Sequence, residues 1–185
     1  MRRSPAGFSL LEVAFVCGAT MIITSIAVIQ LGVSRKVIDA QSAANMVVGQ
    51  VNYARQVAID QRRNVLVEFL GTNEIKITRL ESDASTTVLS DLSLTAGFGY
   101  GLPSGEPPDT PEAFGNSSPV SFNGATGGTF LGDGTFVDST GVVRNGTIFT
   151  IGAGDSTARA VTVTGATGRV LQYYMTEGAW HLVGQ

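Results

Sequence analysis

Few residues in this sequence have the chemistry that catalysis or metal binding needs. The chain contains one His, His181, and one Cys, Cys17. His181 follows Trp180 near the end of the last predicted strand, whereas Cys17 lies in an apolar run near the N-terminus. A Cys/His pair would require these distant segments to meet, and a Ser/His triad or a His-rich metal site is hard to build with one His. We therefore expect no catalytic residue, no metal ligand and no enzymatic activity.

Two further patterns resemble ligand sites but have simpler interpretations. Residues 97–101 read Gly-Phe-Gly-Tyr-Gly, yet no helix follows whose N-terminus would hold a phosphate. Asp133 and Asp138 flank Gly134, and calcium binding there is the alternative to two ordinary turn residues. No Gly-x-Ser-x-Gly string is present for a hydrolase nucleophile. The sequence predicts no cofactor.

The charge of the chain is divided unevenly along its 185 residues. Residues 1–63 carry seven Lys/Arg and three Asp/Glu, whereas residues 64–185 carry five and twelve. The second part has a net charge of −7, which disfavours broad contact with a nucleic-acid backbone. With 43 % hydrophobic residues, the chain has enough apolar side chains to bury a core.

The N-terminal region has the pattern of a membrane-spanning helix. Val13 to Ser34 is a run of 22 residues without a charge, long enough to cross a bilayer core. Arg2 and Arg3 precede it, which by the positive-inside rule places the N-terminus in the cytoplasm and the rest outside. Two alternatives are a secretory signal peptide with Ser25-Ile26-Ala27 as its cleavage site and a lipoprotein signal ending at Cys17. The long apolar run disfavours the first, and the bulky residues before Cys17 disfavour the second.

A carboxylate stands at the start of this apolar run. Residues 7–13 read Gly-Phe-Ser-Leu-Leu-Glu-Val, so Glu12 is the fifth residue after Gly7. This string resembles the processing motif of type IV prepilins, which have a short basic leader ending in Gly, then Phe, then an apolar stretch with Glu at its fifth position. The resemblance implies cleavage between Gly7 and Phe8 by a prepilin peptidase on the cytoplasmic side, and N-methylation of Phe8. It also implies assembly with other pilins in a filament.

Glu12 has a physical role in that scheme. A carboxylate that enters an apolar environment needs a partner, and so does the new terminal ammonium of a neighbouring subunit. Pairing the two would lower both desolvation costs and set the axial position of each subunit. The simpler alternative is that Glu12 only marks the edge of the helix at the lipid head groups.

Beyond Arg35 and Lys36 the helical pattern becomes amphipathic. Small apolar residues recur at intervals of four and three, which places them on one helical face: Ala40, Ala44, Val47, Val51, Ala54 and Ala58. We predict one helix from about Phe8 to about Arg62. The predicted organisation is a leader at 1–7, a membrane or filament-core helix at 8–34, an amphipathic helix at 35–63 and a β-rich head at 64–185.

From Asn64 onward the period changes to that of strands. Residues 65–70 and 75–78 alternate apolar and polar side chains around a Gly-Thr-Asn break, which predicts a hairpin. Further strands are predicted at 86–89, 120–122, 129–131, 142–143, 147–151, 159–164, 169–175 and 179–183. Residues 96–118 contain four Pro and five Gly and are predicted to form a mobile or partner-binding loop. The expected fold is α+β, a long N-terminal helix packed on an antiparallel β-sheet head, as in pilins.

Two motifs in the second part resemble the GspH/FimT group of minor pilins and pseudopilins. Residues 53–59 read Tyr-Ala-Arg-Gln-Val-Ala-Ile and lead into a strand hairpin, as at the end of the long helix in that group. Residues 160–170 resemble its closing hairpin. The resemblance implies a structural subunit of a type IV pilus or a type II secretion pseudopilus, held in the inner membrane with its head in the periplasm before assembly.

Two other functions compete with this hypothesis. Some FimT-type pilins take up DNA with basic residues near the closing hairpin, which would assign that role here to Arg144, Arg159 and Arg169. The negative head disfavours a nucleic-acid partner, whereas clustering of the three arginines on one exposed face would favour one. A membrane-anchored enzyme or unrelated binding protein would need a pocket of convergent polar groups.

Overall fold

The computed structural model describes residues 9–106 and 109–184, with the backbone but not the side chains of residues 26–34. Helix α1 spans Leu10–Gln61. Eleven strands follow in the described part: β1 Val65–Leu70, β2 Glu74–Leu80, β3 Thr86–Ser93, β4 Gly99–Tyr100, β5 Val120–Ser121, β6 Gly127–Phe130, β7 Phe136–Val137, β8 Gly146–Ile151, β9 Arg159–Thr164, β10 Arg169–Thr176 and β11 Ala179–Leu182. A 3₁₀ turn, Asp155–Thr157, precedes β9. The chain divides into two compact units, Met1–Lys36 and Val37–Gln185.

In the first unit, the described residues form the N-terminal part of α1 with Ser9 before it. Its described side chains up to Ser25 are all exposed. Hydroxyl groups here bond back to the helix, as when Thr20 Oγ1 donates to the Val16 carbonyl at 3.0 Å. No helix among the residues that the structure describes has a stretch long and apolar enough to span a membrane. The side chains of residues 26–34, which belong to the predicted span at Val13 to Ser34, lie outside the described residues, as do Arg2 and Arg3.

In the second unit, α1 buries one face. Every residue of the predicted apolar stripe from Ala40 to Ala58 is 0 or 1 % exposed. The helix ends because Arg62 adopts a left-handed conformation with φ of 49°. Arg62 N–H then donates to the Ile59 carbonyl and Arg63 N–H to the Ala58 carbonyl, which satisfies the last turn.

The helix packs on two antiparallel sheets that share its core. The first has the strand order β3-β2-β1-β6-β7 and the second β11-β10-β9-β8-β4, with β5 also paired to β8. β1 and β2 form the predicted hairpin, from Val65 opposite Arg79 to Leu70 opposite Glu74. One buried cluster contains the helix stripe from Ala44 to Ala58 together with Val65, Ile77, Ile148 and Val161. The prediction of an α+β fold with a helix packed on an antiparallel head is therefore confirmed.

Several strand predictions need correction. Val142–Val143 is no strand, since only Val143 forms an isolated bridge, with Val137. No sequence pattern predicted β4 or β7, because each strand has only two residues. The predicted loop at 96–118 contains β4, so it is not wholly irregular.

The segment that follows β4 is held against the second sheet, and we call residues 101–119 the strap. Ser104 N–H donates to Asp155 at 3.1 Å. The Tyr173 hydroxyl donates to the Glu112 carboxylate, and Trp180 Nε1 donates to Thr110 Oγ1 at 3.1 Å. These contacts tie the described parts of the strap to β10, β11 and the 3₁₀ turn.

Candidate functional site

Glu12 lies in the first turn of α1. The helix begins at Leu10, and Val13 N–H donates to the Ser9 carbonyl at 3.1 Å. A carboxylate in a first turn interacts favourably with the unpaired N–H groups there. Glu12 forms none of the side-chain hydrogen bonds or ion pairs found among the described residues. Gly7 and Phe8, the predicted cleavage residues, lie outside the described residues.

The surface around Glu12 is apolar and uncovered. Leu10 is 87 % exposed, Leu11 80 % and Phe15 79 %. Exposed apolar residues continue along the helix on every side, at Val13, Val16, Met21, Ile22 and Ile23. A helix that is hydrophobic all round is normally covered by lipid or by other helices. Cys17, the free cysteine of this segment, is exposed on the same surface.

The three candidate DNA-contact arginines do not share one exposed face. Arg144 Nε donates to Asp138 Oδ2 at 2.8 Å. Arg159 is 4 % exposed, its Nη1 donates to the Ser156 and Ala158 carbonyls, and burial lowers its pKa. Arg169 is exposed, at the opposite end of the β9–β10 ladder from Arg159. The structure therefore does not favour the DNA-binding alternative.

Asp133 and Asp138 are engaged by their own turns. Asp133 accepts a hydrogen bond from Thr135 N–H at 2.9 Å. Asp138 accepts from the backbone and hydroxyl of Thr140 and from Val142 N–H. Bonds from Thr140 and then Arg144 hold the pKa of Asp138 well below its usual range. The described residues contain no group of three or more His, Cys, Asp or Glu side chains able to hold a metal ion.

The remaining candidates occupy ordinary structural positions. His181 lies on β11 and stacks on Tyr174, with ring centroids 5.5 Å apart. Tyr100, in the glycine-rich string, pairs in β4 and donates its hydroxyl to the Glu74 carbonyl at 2.9 Å. Burial, and then the bond to Glu112, raise the pKa of Tyr173 to about 12. No pattern in the sequence predicted the Tyr173–Glu112 contact, which joins residues 61 positions apart.

The structure brings the two head motifs together, which sequence reasoning missed. Arg55 comes from the end of the helix, and Gly168 from the closing hairpin. A Cβ on Gly168 would lie 2.5 Å from Arg55 Nε and 2.3 Å from the Gly134 carbonyl oxygen. Gly168 also has a φ of 61°. A side chain at Gly168 would therefore separate the helix, the turn at Gly134 and the closing hairpin.

Comparison with known proteins gives limited similarity. No family model matches the sequence, and no curated protein matches it. A crystal structure of the type IV minor pilin FimU from Pseudomonas aeruginosa is 17 % identical, with 76 % of this chain and 91 % of that chain covered and a TM-score of 0.49. The minor pseudopilin EPSH from the type II secretion system of Vibrio cholerae is 14 % identical, with coverage of 79 % and 94 % and a TM-score of 0.39.

These values are too low for an argument about function. The fold assignment therefore rests on the helix and strands described above.

Proposed function

We propose that this chain is a structural minor pilin or pseudopilin, a subunit of a type IV pilus or a type II secretion pseudopilus. One observation carries the proposal: the string at residues 7–13 runs into the first turn of a helix whose described apolar side chains up to Ser25 are exposed on all sides. Such a helix needs lipid first and neighbouring helices afterwards. The β head that follows already buries its apolar side chains within the chain, so it needs neither lipid nor neighbouring helices to cover them.

In this proposal the chain first enters the inner membrane with the head in the periplasm. A prepilin peptidase cuts between Gly7 and Phe8, and Phe8 is N-methylated. The run of 22 uncharged residues from Val13 to Ser34 supports the membrane step. The chain acts as a filament component and not as an enzyme.

Glu12 is proposed to pair with the terminal ammonium of a neighbouring subunit. Its position supports this role, because it is a carboxylate without a side-chain partner, among the described residues, on an otherwise apolar surface. Once the helix is packed among other helices, an unpaired carboxylate would be strongly unfavourable.

Substitution at position 12 tests the assembly role separately from processing. Glu12→Ala is expected to lower the amount of chain in sheared filaments by more than about a hundredfold, since removing one partner of a desolvated ion pair costs about 3–5 kcal/mol. Cleavage after Gly7 should continue. Glu68→Ala, which removes a carboxylate from β1, is the matched control and should leave incorporation unchanged. Normal incorporation of Glu12→Ala would contradict the proposed pairing.

A further inference from the structure

Three arginines border a pair of glycine turns at one end of the second unit. Arg55 Nε lies close to two glycines. A Cβ added to Gly134 would be 3.3 Å from it, and a Cβ added to Gly168 would be 2.5 Å from it. The backbone of Arg62 lies close to Gly132, because a Cβ added to Gly132 would be 3.2 Å from Arg62 Cα. Arg169 follows Gly168 directly. We call Arg55, Arg62 and Arg169 the arginine edge.

The charges of the arginine edge are not balanced. The ion pairs among the described residues are Arg79–Glu81 and Arg144–Asp138, so no described carboxylate lies within 4.0 Å of these three guanidinium groups. Arg55 Nε is buried and has no hydrogen-bond acceptor. Asp133, between Gly132 and Gly134, accepts a hydrogen bond from Thr135 N–H of its own turn. This leaves an unpaired basic surface on a unit that has eight Lys/Arg and fourteen Asp/Glu.

The opposite end of the same unit is acidic. A groove at this end is lined by three acidic residues, Glu106, Asp155 and Glu177, and by Ser104, Ser156 and Thr176. We call it the acidic groove. None of these carboxylates forms an ion pair with a described residue, and the Asp155 carboxylate accepts hydrogen bonds, among the described residues, from Ser104 alone. Arg159 also lies at this end, but it is buried and directed at the Ser156 and Ala158 carbonyls.

Strand β10 connects the two ends. It starts at Arg169 and finishes at Thr176, next to Glu177. Eight residues of strand extend about 26 Å, so the basic and acidic surfaces of one copy are too far apart to meet each other.

We propose that the arginine edge of one copy binds the acidic groove of a second copy, head to tail. The two surfaces have opposite charge and lie at opposite ends of one unit, so a bound pair of copies still has one free arginine edge and one free acidic groove. A head-to-tail contact of this type continues into rows and not into a closed pair. Charge complementarity favours a second copy over a nucleic acid, because a phosphate backbone would also face the excess of carboxylates on this unit.

This inference goes beyond the proposed function, since it requires neither cleavage after Gly7 nor a membrane. Its test uses the purified full chain in mild detergent, and its failure would leave the proposed function untouched.

Directed disulfide crosslinking tests the contact. In a Cys17→Ser background, one preparation carries Ala166→Cys, beside the arginine edge, and another carries Thr176→Cys, beside the acidic groove. Both positions are exposed. Under mild oxidation the mixture should give crosslinked dimers at least about tenfold more than either preparation alone, because a disulfide requires Cα atoms within about 7 Å.

Charge reversal then tests the cause of the contact. Arg55→Glu with Arg169→Glu in the first preparation should reduce the crosslinked dimer about tenfold, and Asp155→Arg with Glu177→Arg in the second should restore it. Lys76→Glu, which reverses a positive charge elsewhere, is the matched control and should change nothing. Thermal unfolding followed by the fluorescence of Trp180, the single tryptophan, shows whether each variant is folded.

Three results would overturn the inference. One is equal crosslinking in the mixture and in the separate preparations. Another is failure of the second pair of reversals to restore crosslinking between folded variants. The third is retention of a DNA oligonucleotide by the wild-type chain that Arg55→Glu with Arg169→Glu abolishes while the crosslinked dimer persists.

Discussion

The two units of this chain place the same kinds of side chain in opposite environments. In the helix up to Ser25, Phe15 and Ile23 are 79 % and 68 % exposed. In the second unit, Phe130 and Ile77 are 0 % exposed within a core formed by the helix and both sheets. Apolar side chains in the second unit thus stabilise its fold by packing against one another. The described apolar side chains of the first unit are free to contact lipid or another protein.

Truncating a phenylalanine in each unit should show this difference most strongly. Phe130→Ala leaves a cavity beside Phe136, whose ring centroid is 4.7 Å away. We expect it to lower the free energy of unfolding by about 3–5 kcal/mol. Phe15→Ala, the matched control, should change that energy by less than about 0.5 kcal/mol. Urea unfolding of the full chain in mild detergent, followed by Trp180 fluorescence, measures both. Equal effects would mean that the first unit supports the fold of the second.

A smaller effect is expected at the contact between the two head motifs. Gly168→Ala would force Cβ to within 2.3 Å of the Gly134 carbonyl oxygen, at a φ of 61°. Gly178→Ala also meets a positive φ, 74°, but no atom within 4 Å. The first should cost about 3 kcal/mol and the second about 1 kcal/mol. The same urea experiment compares them, and indistinguishable midpoints would show that conformational strain alone explains the need for Gly168.

The smallest predicted effect is the pH dependence of one surface turn. Hydrogen bonds from Thr140 and then Arg144 lower the pKa of Asp138 on folding. Its stabilising contribution is therefore fully present above the ordinary value of 3.8 and is lost as the pH falls through the folded value. The melting temperature of Asp138→Asn should lie below that of the wild type at about pH 7, and the gap should narrow at about pH 2.5. A constant gap would mean that the Asp138 carboxylate does not contribute through its charge.

Sequence reasoning succeeded where a repeating pattern was available. The stripe from Ala40 to Ala58 identified the buried helix face, because its spacing repeats over five helical turns. The alternation at 65–70 and 75–78 identified the first hairpin and its turn. β9 was predicted with its observed ends, Arg159 and Thr164.

Long-range contacts were beyond that reasoning. Nothing local to Tyr173 predicts a bond to Glu112, and nothing local to Gly168 predicts that Arg55 lies against it. The helix end, in contrast, was predicted at about Arg62 and lies at Gln61, although Arg62 adopts the left-handed conformation that Gly normally provides. For the candidate site, the sequence identified Glu12, Gly7 and Phe8, whose roles in processing and assembly stay predictions.

Intact mass and N-terminal sequence of the chain from membranes, with and without the prepilin peptidase, test the central claim most directly. The account predicts a chain that begins at Phe8, about 14 Da heavier than its sequence because of one N-methyl group, and only when the peptidase is present. An N-terminus at Met1 or Val28 in cells with an active peptidase would contradict it, and would leave the uncovered apolar helix as an anchor or signal for a β domain outside the pilin pathway.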